Sequence, residues 1–157
     1  MSTPTTVNGI DELRALIGQT MGPSDWREVT QEDIDKFADV SNDHQWIHVD
    51  VERAKKESPF GTTIAHGNLT LCLCDSFRDQ LFKAEEGFKM GINYGFNKVR
   101  FPAPVPSGSK VRATAEVQSV EDVGGGWWQV VTKFVLEREG GDKPVCVAES
   151  VGRALVA

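Results

Sequence analysis

At 157 residues, 39% hydrophobic and 25% charged, the chain has the size and composition of one ordinary globular domain. A net charge of −6 with no basic run argues against a nucleic-acid partner. No apolar run approaches the roughly 20 residues that span a bilayer, and Met1 to Asn8 lacks the layout of a secretory leader, so the cytoplasm is the expected location.

Residues 1–8 read as a flexible tail, and 9–157 as a single domain. Ile10 to Ile17 carries apolar residues at 10, 13, 16 and 17, a short amphipathic helix that stops at Gly18. Gly22-Pro23-Ser24 is a turn, and Trp26 to Val29 a short strand. Thr30 reads as an N-cap, with Gln31, Glu32 and Asp33 in a first turn where the helix dipole favours acids. Ile34, Phe37 and Ala38 form the inner stripe of that helix, which runs to about Val40. Val51 to Glu57 is a further short helix, broken by Ser58-Pro59-Phe60-Gly61.

The spacing then predicts a long helix over Asn68 to Phe82. Leu69-Thr70-Leu71-Cys72-Leu73-Cys74 is apolar nearly all round, as in a helix buried on most sides. Cys72 and Cys74 lie in this run. With Cys146 they make an odd number, which fits buried reduced thiols better than a disulfide frame.

From Gly91 the period changes to two. Ile92 to Phe101 is a strand closed by Pro102, Pro104 and Pro106. Val111, Ala113, Ala115 and Val117 alternate with polar residues, Trp128 to Leu136 forms another one-sided face, and Val145 to Leu155 a last strand. Gly124-Gly125-Gly126 and Gly140-Gly141-Asp142 are the turns between them. Helices followed by at least four strands with short connections argue for α+β with an antiparallel sheet. One apolar helix that needs a sheet to cover it suggests the hot-dog arrangement, a curved antiparallel sheet wrapped around a long central helix.

Two segments carry chemistry. Ser41-Asn42-Asp43-His44-Gln45-Trp46-Ile47-His48 places a carboxylate and an imidazole five positions apart, and Ile64-Ala65-His66-Gly67 opens the long helix. Asp and His move protons, and the amino end of a helix holds a developing oxyanion. That combination suits adding or removing water across an activated double bond. The plainer readings are an Asx-turn at Asp43, a backbone-bonded neutral imidazole at His48, and loop support by hydrogen bonding at His66. His44 and His48 have a helical metal-ligand spacing, but the intervening residues oppose a helix and no third ligand follows at a typical distance, so no metal is expected.

The run Phe37-Ala38-Asp39-Val40-Ser41-Asn42-Asp43-His44-Gln45-Trp46-Ile47-His48 resembles the signature of MaoC-like, (R)-specific enoyl-CoA hydratases. So do Phe60 to Gly67, ahead of the central helix, and Asn97 to Val105, with its proline-bounded exit. Asn42, Gln45 and Trp46 stand where the family pattern has Gly, Asn and Pro, and this combination is closer to a subgroup likened to nodulation protein N.

The resemblance implies a hydro-lyase acting on a trans-2-enoyl thioester of coenzyme A or acyl carrier protein. It implies Asp43 and His48 as the catalytic pair; either can be the base toward water, and the reading favoured here gives that role to Asp43, with His48 positioning the water and relaying the proton. The Gly67 backbone N–H would serve as oxyanion donor. No cofactor beyond the substrate's own coenzyme is expected, and a homodimer is. Gln45, Trp46, His66, Lys98 and Arg100 are further candidates for substrate contact. For Lys98 and Arg100, on one strand face, the alternatives are coenzyme A phosphates or plain solvation. An acyl-CoA thioesterase and a non-catalytic acyl-CoA-binding subunit are the competing readings, since fold alone does not settle function.

Overall fold

A computed structural model describes residues 3–157. In chain order the elements are β1 (Thr5–Val7), α1 (Gly9–Ala15), β2 (Thr20–Met21), β3 (Arg27–Glu28), α2 (Gln31–Ser41), α3 (Trp46–Val49), α4 (Val51–Glu57), α5 (Gly67–Leu81), β4 (Phe82–Ala84), β5 (Phe88–Arg100), β6 (Lys110–Gly124), β7 (Trp127–Arg138) and β8 (Pro144–Val156).

The long strands form an antiparallel sheet in the order β2-β6-β7-β8-β5, with β3 also pairing with β6. Inward residues of β6 follow the expected alternation, Val111, Ala113, Ala115 and Val117. A register shift between Val117 and Ser119 then moves the buried position to Val120. One extra residue flips which parity faces inward, and it bends the strand.

The apolar stripe of α5, Leu69, Leu73, Phe77 and Leu81, packs into one core with the inward faces of β6, β7 and β8. Phe77 and Phe134 are fully buried there. Two small residues, Ala113 and Ala115, line the β6 face of that core, where a short side chain leaves room for a helix. The layering is the hot-dog arrangement: α5 against the inner face of an antiparallel sheet.

Three differences from the sequence reading have physical causes. Thr5–Val7, placed in the tail, pairs in parallel with Phe82–Ala84, and Val7 is buried in the core; Met1 and Ser2 lie outside the described residues. The first half of the central helix is more open than expected: Asn68 and Cys72 are exposed, in line with Asp75, Ser76 and Asp79 in the second half, which was expected to return to water. Cys74 and Cys146, by contrast, are buried. A hydrogen bond with Cys146, and then burial, push the Cys74 thiol up, so it stays protonated. Finally, β5 begins at Phe88 rather than Ile92 and, among the described residues, pairs in the sheet with β8 alone, which makes it an edge strand.

Candidate active site

The site lies where α2, α3 and the head of α5 meet. A capping box starts α2: the Thr30 hydroxyl accepts from the Asp33 N–H, and the Asp33 carboxylate accepts from the Thr30 N–H. The helix ends at Asn42, whose φ of 57° is left-handed. Asn tolerates that conformation because its short polar side chain bonds locally, so it can stand where the family pattern has Gly. The turn delivers Asp43 to an exposed position. Asp43 Oδ1 accepts the Gln45 N–H at 3.3 Å, an Asx-turn, so the plainer reading of this residue also holds.

Gln45 stands at the N-cap position of α3, without a side-chain capping bond, and this single turn carries His48 inward until only 7% of it is exposed. His48 Nδ1 lies 2.7 Å from the Ile64 carbonyl. A carbonyl only accepts, so Nδ1 carries the proton and the neutral ring keeps an acceptor lone pair on Nε2. The Ile64 N–H donates in turn to the Ile47 carbonyl at 3.0 Å, locking the two segments together.

His66 is the N-cap of α5 and is 3% exposed. Its Nε2 donates to the Asp43 carbonyl at 2.9 Å, the backbone support expected of it. Its ring also stacks on His48, with centroids 3.9 Å apart, and rests against Phe37 at 4.9 Å. His66 Nδ1 is buried without a hydrogen-bond partner among the described residues. Burial pushes the His48 pKa below its ordinary value, and the neighbouring His66 adds to that. The Ile64 hydrogen bond and the Asp43 carboxylate oppose it.

Asp43, His48 and His66 bring one ligand-type atom each within 4.8 Å of one another. Backbone carbonyls engage His48 Nδ1 and His66 Nε2, which leaves the other nitrogen of each ring as an acceptor beside the Asp43 carboxylate. His44, the other imidazole of the spacing argument, lies apart in an exposed pair with Asp39 at 2.9 Å.

Gly67 opens the 15-residue α5. The first N–H within this helix to find a carbonyl partner is that of Thr70, on His66, so among the described residues nothing occupies the N–H groups of Gly67, Asn68 and Leu69, which suit an oxyanion. A Cβ at position 67 would meet the Phe101 ring at 2.9 Å, so packing against Phe101 is a further reason for glycine there. Beside Gly67 opens an apolar cleft of about 430 Å³, walled by Phe60, Ile64, Thr70, Phe101 and Val145.

The remaining candidates sit further out. Gln45 is exposed. Trp46 does not line the cleft; its ring lies under the Arg53 guanidinium at 4.2 Å, and Arg53 is held by Glu57. Lys98 and Arg100 are exposed on β5, just before Phe101. Lys98 pairs across the strands with Glu149, and Arg100 donates to the Val99 carbonyl.

A family model for the MaoC-like domain matches residues 12–138. The chain is 52% identical over 148 residues to 3-hydroxyacyl-thioester dehydratase Z of Mycobacterium tuberculosis, covering 94% of this chain and 97% of that protein. It is 42% identical over 137 residues to nodulation protein N of Rhizobium leguminosarum bv. viciae, covering 87% and 85%. Among solved structures, the monoamine oxidase regulatory protein of Archaeoglobus superposes with a TM-score of 0.80 at 28% identity, over 98% of this chain and 97% of that one. The (R)-hydratase of A. caviae superposes at 0.66 and 24% identity, over 87% and 94%, a likeness of fold. On the matched model and these relatives, the chain belongs to the MaoC-like domain family.

Proposed function

We propose that the protein is an (R)-specific hydro-lyase, reversibly adding water to a trans-2-enoyl thioester and, in reverse, dehydrating the (R)-3-hydroxyacyl thioester. The observation that carries this reading is the convergence of the Asp43 carboxylate and the His48 imidazole at the head of α5, beside the backbone N–H groups of its first turn. The names of the relatives, a 3-hydroxyacyl-thioester dehydratase among them, support it.

The chemistry follows from the two acceptors. With His48 protonated on Nδ1, a water between the residues donates one proton to Asp43 and one to His48 Nε2, which leaves an oxygen lone pair for C3. As the C–O bond forms, the π electrons move onto the thioester oxygen, which the Gly67 N–H and the helix dipole stabilise. The group that took the water's proton returns it to C2 as the enolate collapses. Oxygen and proton come from the same side, so the addition is syn. We assign Asp43 as the proton-accepting base, with His48 holding and relaying. The acyl chain runs into the cleft beside Phe101. Carriers of either kind, coenzyme A or acyl carrier protein, present the same thioester.

The working unit in this reading is a homodimer formed through β5, an edge strand that exposes Met90, Ile92, Tyr94 and Phe96. A long apolar edge is otherwise an aggregation hazard.

The test is the loss of enoyl-thioester absorbance when purified protein meets crotonyl-CoA. Hydration that Asp43→Asn abolishes supports the reading. Release of free thiol from saturated acyl-CoA would instead mark a thioesterase, and tight binding without turnover a non-catalytic subunit.

A further inference from the structure

Gln31 stands in the first turn of α2, where the sequence offers it no role beyond starting a helix. Its side chain nevertheless makes three hydrogen bonds. Nε2 donates to the His48 carbonyl at 2.8 Å and to Asp35 Oδ1 at 2.9 Å, and Oε1 accepts the Thr63 hydroxyl at 2.6 Å. The network sets the amide's orientation: turned over, its oxygen would face a carbonyl and a carboxylate, neither of which donates.

Two of these bonds reach the two backbone segments that determine where the His48 ring points. One segment carries His48 itself. The other carries Thr63, which is 1% exposed, and Ile64, whose carbonyl takes the His48 Nδ1 proton. The same segment is tied outward by the Ser107 N–H on the Thr63 carbonyl at 2.9 Å, so it is anchored on its far side. Gln31 is therefore a cross-brace between the base of the imidazole and its hydrogen-bond acceptor.

We propose that Gln31 is a positioning residue for His48, holding the Ile64 carbonyl and the His48 backbone at the separation that keeps the proton on Nδ1 and the acceptor lone pair on Nε2. The role rests on the hydro-lyase reading for its catalytic consequence but not for its structural one. Without the brace the ring has a looser partner, and the proton distributes between the two nitrogens. In the wrong tautomer Nε2 carries a proton and no longer accepts from water. Misplacing a reacting group by about 1 Å typically costs up to about a hundredfold in rate. The loss falls on kcat, because Gln31 does not line the cleft that would take the acyl chain.

The experiment uses full-length protein with 15N-labelled histidine, wild type and Gln31→Met, which keeps length and removes all three bonds. Two-bond proton–nitrogen spectra read each imidazole's tautomer, and His48→Ala assigns the His48 signals. In the wild type His48 is expected wholly as the Nδ1–H form. In Gln31→Met it is expected as a mixture, with kcat on crotonyl-CoA down about tenfold or more and KM within about threefold. Should Gln31→Met fail to fold, Thr63→Val removes one arm of the brace and is read the same way.

A His48 tautomer unchanged by the substitution overturns the proposal, whether or not kcat falls. Should the wild type hydrate nothing, the hydro-lyase reading fails while the tautomer still decides the role of Gln31.

Discussion

The imidazoles of His48 and His66 stack with centroids 3.9 Å apart and planes inclined by 23°. His66 therefore acts on both halves of the pair at once: its Nε2 holds the Asp43 carbonyl, and its ring packs on His48 while disfavouring a charge there. Replacing His66 with Phe keeps a flat ring but removes the bond to the Asp43 carbonyl and the electrostatic effect on His48. The expected result is a fall in kcat of about tenfold or more, with the acid limb of the kcat/KM profile moved to higher pH. The direction follows from His66 being one of the causes that lower the His48 pKa. An unmoved acid limb would show that the stacking carries no electrostatic weight.

The depressed His48 pKa also makes a prediction for stability. A base that binds a proton less readily when folded than when unfolded is charged first in the unfolded chain. Above the ordinary imidazole value of 6.5 both states are neutral and His48 adds no pH dependence. As pH falls through 6.5 toward the lower folded value, stability is lost, and the loss levels off below it. Urea melts at stepped pH values read this directly, and His48→Gln is expected to flatten the slope within that window. An equal slope in the variant would place the titrating group elsewhere.

Asn42 supplies a backbone test. Its φ of 57° costs an ordinary L-residue roughly 1 kcal/mol or more. Asn42→Gly is expected to be close to neutral and Asn42→Ala to destabilise by about 1 kcal/mol, measured by chemical denaturation. Because Asp43 follows directly, the Ala variant is also expected to lose more activity than the Gly variant. Equal activity in the two would mean that the turn does not aim Asp43.

The period-two faces of β6 and β7 and the inward stripe of α5 were legible because hydrophobic periodicity reports which face is buried. The placement of Asp43 and His48 was legible through the motif spacing. The parallel pairing of Thr5–Val7 with Phe82–Ala84 was not, because a three-residue strand has no periodicity of its own and takes its partner from more than seventy positions away. The exposure of Asn68 and Cys72 was hidden in the same way, since an apolar run says how much a helix buries and not which side stays uncovered. The stacking of His48 on His66 and the brace at Gln31 are contacts between segments that local pattern does not link. A polar residue in a first helical turn looks the same whether it faces water or a neighbouring loop.

Gly67 separates two reasons for glycine. Its backbone conformation is not left-handed, and the obstacle to a side chain is the Phe101 ring, at 2.9 Å from an added Cβ. Gly67→Ala is expected to displace Phe101 and to lower kcat/KM by at least about tenfold, because the N–H donors shift with the helix start. Adding Phe101→Ala makes room for the methyl. If packing is the main constraint, the double variant recovers most of the activity lost by Gly67→Ala relative to Phe101→Ala alone. If it recovers none, the methyl blocks the approach of the thioester itself.

The edge strand β5 gives the last prediction. Ile92 and Tyr94 are 48% and 64% exposed on a strand that ends the sheet among the described residues. Burying such side chains against a second copy is worth about 25 cal/mol per Å² of apolar surface. A charge placed in the middle of that surface removes the gain and adds a desolvation cost. Ile92→Lys is therefore expected to convert a dimer to a monomer, seen by light scattering coupled to size exclusion, while circular dichroism keeps its wild-type shape. Activity is expected to fall with the dimer if the second copy completes the cleft, and to recover at protein concentrations that restore association. A chain that is already monomeric at micromolar concentration and fully active would remove the dimer from the functional reading and leave the Asp43–His48 chemistry in place.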